Sequence, residues 1–310
     1  RPCAGPAASA PPACAEPMAG HDGLTFRSGY FDDPAARRAL AGLLEAVFGI
    51  DVTVMDRLGG PDPSSVPFGW FDASGACIAN LTAFSLPLVM DGAFVNAAGL
   101  QSGAVRPDHR GKGLYRAVMD AALRHCDAKG FTAVALLTDT PDLYRRHGFR
   151  PLAQHRFTGP VRAGGRALPS RTLDIGHAED IALIARLLDG RRPVSERFAP
   201  LRQREMFLFN ALLMPDLRLS RIGDAVVAWK AGEDGRFELL DIAGAEIPRL
   251  ADILASLGIA PSRVVVHFAP DRCDWAGEAV ADDDAMVLML RAPADLRPQG
   301  PFALSPMAEF

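Results

Sequence analysis

Apolar positions recur at two periods along this chain, and the period changes where the glycines fall. Leu40, Leu43, Leu44 and Val47 repeat at helical spacing. Asp33 is placed to cap that helix, Pro34 sits in its first turn and Gly49 follows its last. Residues 64–72 read as a short strand, broken by Ala73-Ser74-Gly75. Two longer apolar runs, 76–90 and 93–105, are joined by Asp91-Gly92, a hairpin signal. After the turn Arg110-Gly111-Lys112-Gly113-Leu114, the residues Leu114, Ala117, Val118 and Ala121 return to helical spacing, and Gly130 closes that helix. Residues 131–137 form an apolar run that predicts a buried strand. A short helix and turn follow over 142–149, and a last strand over 150–162.

The glycine- and alanine-rich stretch 163–170 reads as a linker. Beyond it the pattern predicts helices over 181–188 and 202–214. A hairpin is expected over 217–221 and 225–230, around Gly223-Asp224. A strand over 236–242, a helix over 247–257, and strands over 263–268 and 286–291 complete the series. The division is thus a first domain over 18–162 and a second over 171–310 that ends in a C-terminal tail. Residues 1–17, rich in Ala and Pro without periodicity, read as a disordered tail.

Two domains suit a chain of 310 residues, and 49% hydrophobic content is ample for their cores. The net charge of −4 argues against a nucleic-acid partner held by a basic surface. No apolar stretch is long enough to span a membrane. Cys3, Cys14, Cys77, Cys126 and Cys273 are scattered without metal or redox spacing, and no histidine pair adds one. A reduced, cytoplasmic setting is expected, with no metal. A homo-oligomer is left open.

The turn at Arg110 carries the chemistry. Its two glycines permit left-handed or close-approach backbone, and N–H groups at a helix start attract anions. Arg110 and Lys112 add positive charge. The spacing matches neither a P-loop nor a dinucleotide fingerprint. It resembles the pyrophosphate loop of the GNAT superfamily of N-acetyltransferases, Gln/Arg-x-x-Gly-x-Gly/Ala. Arg110, Gly113 and Tyr115 stand at its fixed positions, with Tyr115 where the family has Gly or Ala. Tyr144, Gly148 and Phe149 resemble the family's second signature, a short helix ending in Tyr-x-x-x-Gly-Phe.

That resemblance implies an α/β (α+β) GNAT fold, a mixed twisted sheet flanked by helices, followed by a second, degenerate GNAT-like domain. The second domain's equivalent turn, Ala243-Gly244-Ala245-Glu246, lacks the basic residues, and Glu246 repels phosphate, so one cofactor site is expected. The implied acyl donor is acetyl-CoA, its pyrophosphate held by Arg110, Gly111, Lys112, Gly113 and Leu114. The preceding strand would splay from its neighbour and pair with the pantetheine arm along Gly103, Ala104 and Val105. A backbone N–H of Ala104 or Val105 would hold the developing oxyanion, a donor worth about 3 kcal/mol. Tyr144 is the general-acid candidate, since a phenol can donate to a departing thiolate.

The C-terminal Glu309-Phe310, with a Tyr in this place, resembles the enhanced intracellular survival (Eis) proteins, which acetylate aminoglycosides and related polyamines. By that likeness the Phe310 α-carboxylate is the base and Glu309 binds a cationic substrate. Eis proteins carry a third, sterol-carrier-like segment that this sequence does not show. Asp32, Trp70, Phe71 and Phe84 lie in elements expected to face the acceptor, where aromatic and acidic walls suit an amine. The expected activity is acetyl-CoA-dependent acetylation of a primary amine of a small molecule, polyamine or aminoglycoside-like, by direct attack on the thioester. Alternatives are a protein or peptide N-acetyltransferase and a non-catalytic acyl-CoA sensor.

Overall fold

A computed structural model describes residues 21, 23–161, 164–283 and 286–310. The expected N-terminal tail, with Cys3 and Cys14, lies outside the described residues, as does the first residue of the expected linker. Helix α1, Pro34–Phe48, has the ends its sequence marks. The Asp33 carboxylate accepts from the N–H groups of Ala35 and Ala36, and Gly49 ends the helix in the left-handed region. Leu40, Leu43 and Leu44 are buried along one face.

The first half supplies strands β1 (Thr25–Ser28), β2 (Val66–Phe71), β3 (Cys77–Ser85), β4 (Leu88–Met90), β5 (Ala93–Val95), β6 (Ala97–Val105), β7 (Ala133–Thr138), β8 (Arg150–Leu152) and β9 (His155–Gly159). Helices α2 (Leu114–Ala128) and α3 (Asp142–Arg145) lie among them. The second half supplies β10 (Ser170–Leu173), β11 (Phe198–Pro200), β12 (Arg218–Ile222), β13 (Ala225–Ala231), β14 (Arg236–Gly244), β15 (Arg263–Val266), β16 (Glu278–Ala281) and β17 (Val287–Arg291). Its helices are α4 (Ala178–Asp189), α5 (Arg204–Leu213) and α6 (Leu250–Leu257).

Two seven-stranded sheets result, in the orders β1-β2-β3-β6-β7-β17-β8 and β10-β12-β13-β14-β15-β9-β16. Each has one parallel pair, β6 with β7 and β14 with β15. The halves thus repeat one arrangement, a mixed sheet with helices on its faces. They also trade strands. β17, from the second half, lies between β7 and β8. β9, from the first half, pairs with β15 and β16. The single strand expected over 150–162 is therefore two strands in different sheets. Gln154 holds the turn between them. Its amide donates to the Met286 carbonyl, and its Oε1 accepts from the Leu304 N–H.

The expected long hairpin also divides. Pro87 has no N–H to continue the ladder, and beyond it β4 and β5 leave the first sheet and join β11 in a separate three-stranded sheet. Helices α1 and α2 cover opposite faces of the first sheet. Phe68 and Trp70 share a core cluster with Val118, Met119 and Ala122 of α2. Phe71 packs instead with Leu40, Leu43 and Leu44 of α1.

Candidate active site

The parallel ladder between β6 and β7 ends at Leu100 and Leu136, although both strands run on. The two strands part there, leaving residues 101–105 without a β7 partner among the described residues. On its other edge β6 stays paired to β3 through a bulge. Asn80 is opposite Ala104 and Thr82 opposite Gln101, so Leu81 faces both Ser102 and Gly103. Ser102 takes the left-handed conformation, φ +58°. A buried network maintains it: Tyr30 donates to Asn80 Oδ1, and Asn80 Nδ2 donates to the Ser102 carbonyl at 2.9 Å. Burial pushes the Tyr30 phenol far up, so it keeps the proton it donates.

Past β6 the chain makes the short 3-10 turn Pro107–His109 and enters the glycine turn. Gly111 and Gly113 have φ of +75° and +79°. Gly113 is the N-cap of α2, and no side chain caps its first turn. The first N–H groups of a 15-residue helix, with its dipole behind them, are free for an anion. Nothing lies within 4 Å of a Cβ placed on Gly111, so the backbone is open to close approach. Arg110, Gly111, Gly113, Leu114 and Arg116 line the cleft. His109 lines it too, with its Nδ1 buried and unpartnered. This cradle fits a pyrophosphate, and the parted strand beside it fits an extended amide-bearing arm. Lys112 is exposed and outside the lining. It adds charge from the rim and no contact.

Tyr144 lies on α3 and lines the cleft. Its hydroxyl is 2.7 Å from that of Tyr115, the first sheet's departure from the glycine-turn pattern. Tyr115 is on the first turn of α2, and its hydroxyl reaches over Gly103, where an added Cβ would sit 2.6 Å from it. The missing side chain at Gly103 therefore makes room for the tyrosine pair. Burial raises the Tyr115 phenol well above its ordinary range, helped by Tyr144 beside it. Tyr115 keeps its proton and can donate it to the Tyr144 oxygen, which leaves the Tyr144 proton free for the cleft. Sequence reasoning did not assign Tyr115 a role. Its one signal was a bulky phenol in a place the resembled pattern keeps small.

The cleft encloses about 1560 Å³ and runs from the glycine turn past α1 and α5 to residues 309 and 310. Ser305 caps the final 3-10 turn, Pro306–Ala308, and its hydroxyl donates to the Leu240 carbonyl. Asn210 donates to the Glu309 carbonyl at 2.8 Å. Glu309 and Phe310 both line the cleft, and burial raises the Glu309 carboxyl above its ordinary value.

None of the four residues expected to face the acceptor reaches the cleft lining, and Phe71 packs under α1 instead. Trp70 is fully buried on the α2 face, because strand alternation sends it opposite to Phe71. Phe84 lies flat over Gly99, whose Cβ would come 2.3 Å from its ring, and it forms a floor under Phe310 with ring centroids 5.1 Å apart. Asp32 is exposed on the 3-10 turn Tyr30–Asp32, beside Phe31, which does line the cleft.

The second sheet has the same parting of strands, and the chain itself fills it. β14 pairs with β15 only from Arg236 to Leu239. Beyond that, Ser305 donates to the carbonyl of Leu240, Arg191 to that of Ile242 and the Arg192 N–H to that of Gly244. Arg191 is also paired with Asp241 at 2.8 Å, both fully buried. These contacts occupy, among the described residues, the edge that stays open in the first sheet.

Cys77, Cys126 and Cys273 are buried, and burial holds their thiols protonated, Cys126 up to about 11 and the other two to about 12. None is suited to act as a nucleophile at neutral pH. Among the described residues no cluster of three metal-ligating side chains occurs, and no helix is long and apolar enough to cross a membrane.

Residues 39–152, which hold most of α1, the parted strands, the glycine turn and Tyr144, match the family model described as Acetyltransferase (GNAT) domain. No curated protein sequence matches. Solved structures match across most of the chain. One is a GCN5-related N-acetyltransferase from Kribbella flavida, 16% identical, TM-score 0.54, covering 88% of this chain and 72% of that one. A conserved protein of unknown function and probable N-acyltransferase from Enterococcus faecalis V583 is 14% identical, TM-score 0.59, covering 87% and 72%. Eis1 from Mycobacterium abscessus is 16% identical, TM-score 0.55, covering 86% and 72%. At these identities the likeness is one of fold. The chain thus has a mixed α/β GNAT fold, and its residues 39–152 match a GNAT acetyltransferase domain.

Proposed function

We propose that this protein moves an acetyl group from acetyl-CoA to a primary amine of a small molecule, by direct attack of the amine on the thioester. The observation that carries the reading is the parting of β6 from β7 beside an uncapped helix start. When bound, acetyl-CoA supplies the activated acyl group. Arg110, Gly111, Gly113 and Leu114 hold its pyrophosphate by charge and backbone N–H groups, with Lys112 adding field from the rim. Gly103, Ala104 and Val105 offer unpaired backbone to its arm. An N–H of Ala104 or Val105 then faces the charge that develops on the thioester oxygen. Three buried, protonated thiols favour direct transfer over an acylated cysteine.

Three proton transfers balance the reaction. Glu309 holds the incoming ammonium, which first gives a proton to a carboxylate of the last residues, in a chain ending at Phe310 the Phe310 α-carboxylate, so that the neutral amine can attack. Tyr144 gives its hydroxyl proton to the leaving thiolate, and Tyr115, as a positioning residue, stabilises the phenolate left behind. The second proton of the acetylated nitrogen returns to that phenolate. Calorimetric titration with acetyl-CoA tests the site. Wild type should bind, and Gly113→Trp, which strains a left-handed position and fills the cradle, should not. Arg110→Glu, at an exposed position, guards against a misfolded Gly113 variant. Tyr144→Phe should keep acetyl-CoA affinity and lose at least about ten-fold in kcat. Wild type that binds no acetyl-CoA ends the proposal.

A further inference from the structure

We infer that the acceptor is a monoamine carrying an extended apolar body, and not a polycation. This rests on the proposed amine acetylation and narrows its substrate. The wall that faces the cleft from α1 and α5 is built from Leu44, Val47 and Phe48 of α1, Met55 of the 3-10 helix Val52–Leu58, and Phe209 and Leu213 of α5. Phe48, Leu143, Leu213 and Met286 are 50%, 48%, 45% and 46% exposed. They make up four of the seven large apolar side chains exposed among the described residues, and all four line this one cleft. Exposed apolar surface gathered at one concave site marks an apolar ligand.

The charges point the same way. Five arginines line the cleft, Arg37, Arg38, Arg110, Arg116 and Arg146. They face four carboxylates, Asp56, Asp62, Asp139 and Glu309. Asp56 is already paired with Arg37, and Asp62 accepts from the N–H and hydroxyl of Ser64. A polyamine's further ammonium groups would be desolvated against hydrocarbon, with only the exposed Asp139 left among the four carboxylates to receive them. A single ammonium has Glu309, and a hydrocarbon tail has the wall. The aminoglycoside-like acceptor suggested by the C-terminal Glu-Phe is therefore not the one this cleft favours.

The decisive pair is n-octylamine and 1,8-diaminooctane, equal in length and different by one ammonium. With acetyl-CoA fixed, kcat/KM for octylamine should exceed that for the diamine at least ten-fold. Across butyl-, hexyl- and octylamine it should climb steeply, toward a ceiling of about four-fold per methylene for complete burial. Leu213→Asp, at a half-exposed position, should narrow the octylamine-to-diamine ratio. Equal or better use of the diamine, or a flat alkylamine series, overturns the inference and leaves amine acetylation standing. Acetyl-CoA binding with neither amine acetylated also overturns it. Absence of acetyl-CoA binding instead removes the proposed function beneath it.

Discussion

Replacing Tyr115 by Phe removes one oxygen from the site and keeps the ring, whose centroid lies 6.2 Å from that of Tyr144 at an interplanar angle of 83°. What disappears is the 2.7 Å hydrogen bond between the two hydroxyls. Before reaction that bond joins two neutral phenols. Once Tyr144 has given up its proton, the same bond ends on a phenolate. A neutral hydrogen bond is worth about 0.5–1.5 kcal/mol net and one to a charged group about 1.5–3 kcal/mol. The difference, about 1–1.5 kcal/mol, acts on the transition state alone and corresponds to roughly ten-fold in kcat. Steady-state kinetics and acetyl-CoA calorimetry on wild type, Tyr115→Phe, Tyr144→Phe and the double variant form a cycle. The single Tyr115 change should lower kcat about ten-fold and leave acetyl-CoA affinity in place. In the Tyr144→Phe background it should cost nothing further, because the acid it serves is gone. An undiminished loss in that background, or none in the wild type, would refute the relay.

Three further outcomes follow from the geometry. Gly103→Ala puts a Cβ 2.6 Å from the Tyr115 hydroxyl, so turnover should fall, and fall less when Tyr115 is already Phe. Equal losses in both backgrounds would show that the contact is not the cause. Arg191→Met strands the fully buried Asp241 and should cost about 3–5 kcal/mol in urea unfolding, with much of it recovered when Asp241→Leu is added. A loss below about 1 kcal/mol contradicts the plug described for the second sheet. Glu309 has its folded pKa raised by burial above its ordinary 4.5. Between that value and its folded pKa the folded state therefore holds more protons than the unfolded state, so stability falls as pH rises through this window. Glu309→Gln should be neutral at pH 3 and more stable than wild type at pH 8. A wild type that gains on the variant as pH rises reverses the sign.

The ends of α1 were legible because single residues set them: Asp33 supplies the cap and Gly49 the left-handed stop. The glycine turn was legible for the same reason, since backbone geometry that needs Gly is written in the sequence. Strand partnership is not written that way. A period of two says which face a side chain takes and nothing about the neighbour across the ladder. Residues 150–162 thus read as one strand, while Leu152 ends in one sheet and His155 begins in the other. Strands β1, β10, β11 and β16 are three or four residues long, too short to show alternation. Trp70 and Phe71 were read together as acceptor-facing aromatics, although neighbours on a strand must point to opposite faces. The apolar wall of the cleft was not legible, because its positions on α1 and α5 look like core positions until the cavity beside them is seen.

A ribosome makes this protein N-terminal end first, and the glycine turn, Tyr115 and Tyr144 all emerge well before β17. Until β17 arrives, β7 and β8 have no strand between them, and the first sheet stands with two raw edges that could pair with another nascent chain. The half-made chain therefore lacks both a finished sheet and residues 309 and 310, which line the cleft. The cleft is completed only after β17 and residues 309 and 310 have been made. The same exchange acts after synthesis as a clasp: a protease that nicks residues 164–169 leaves two fragments, each holding a strand the other needs, and they should stay together in solution.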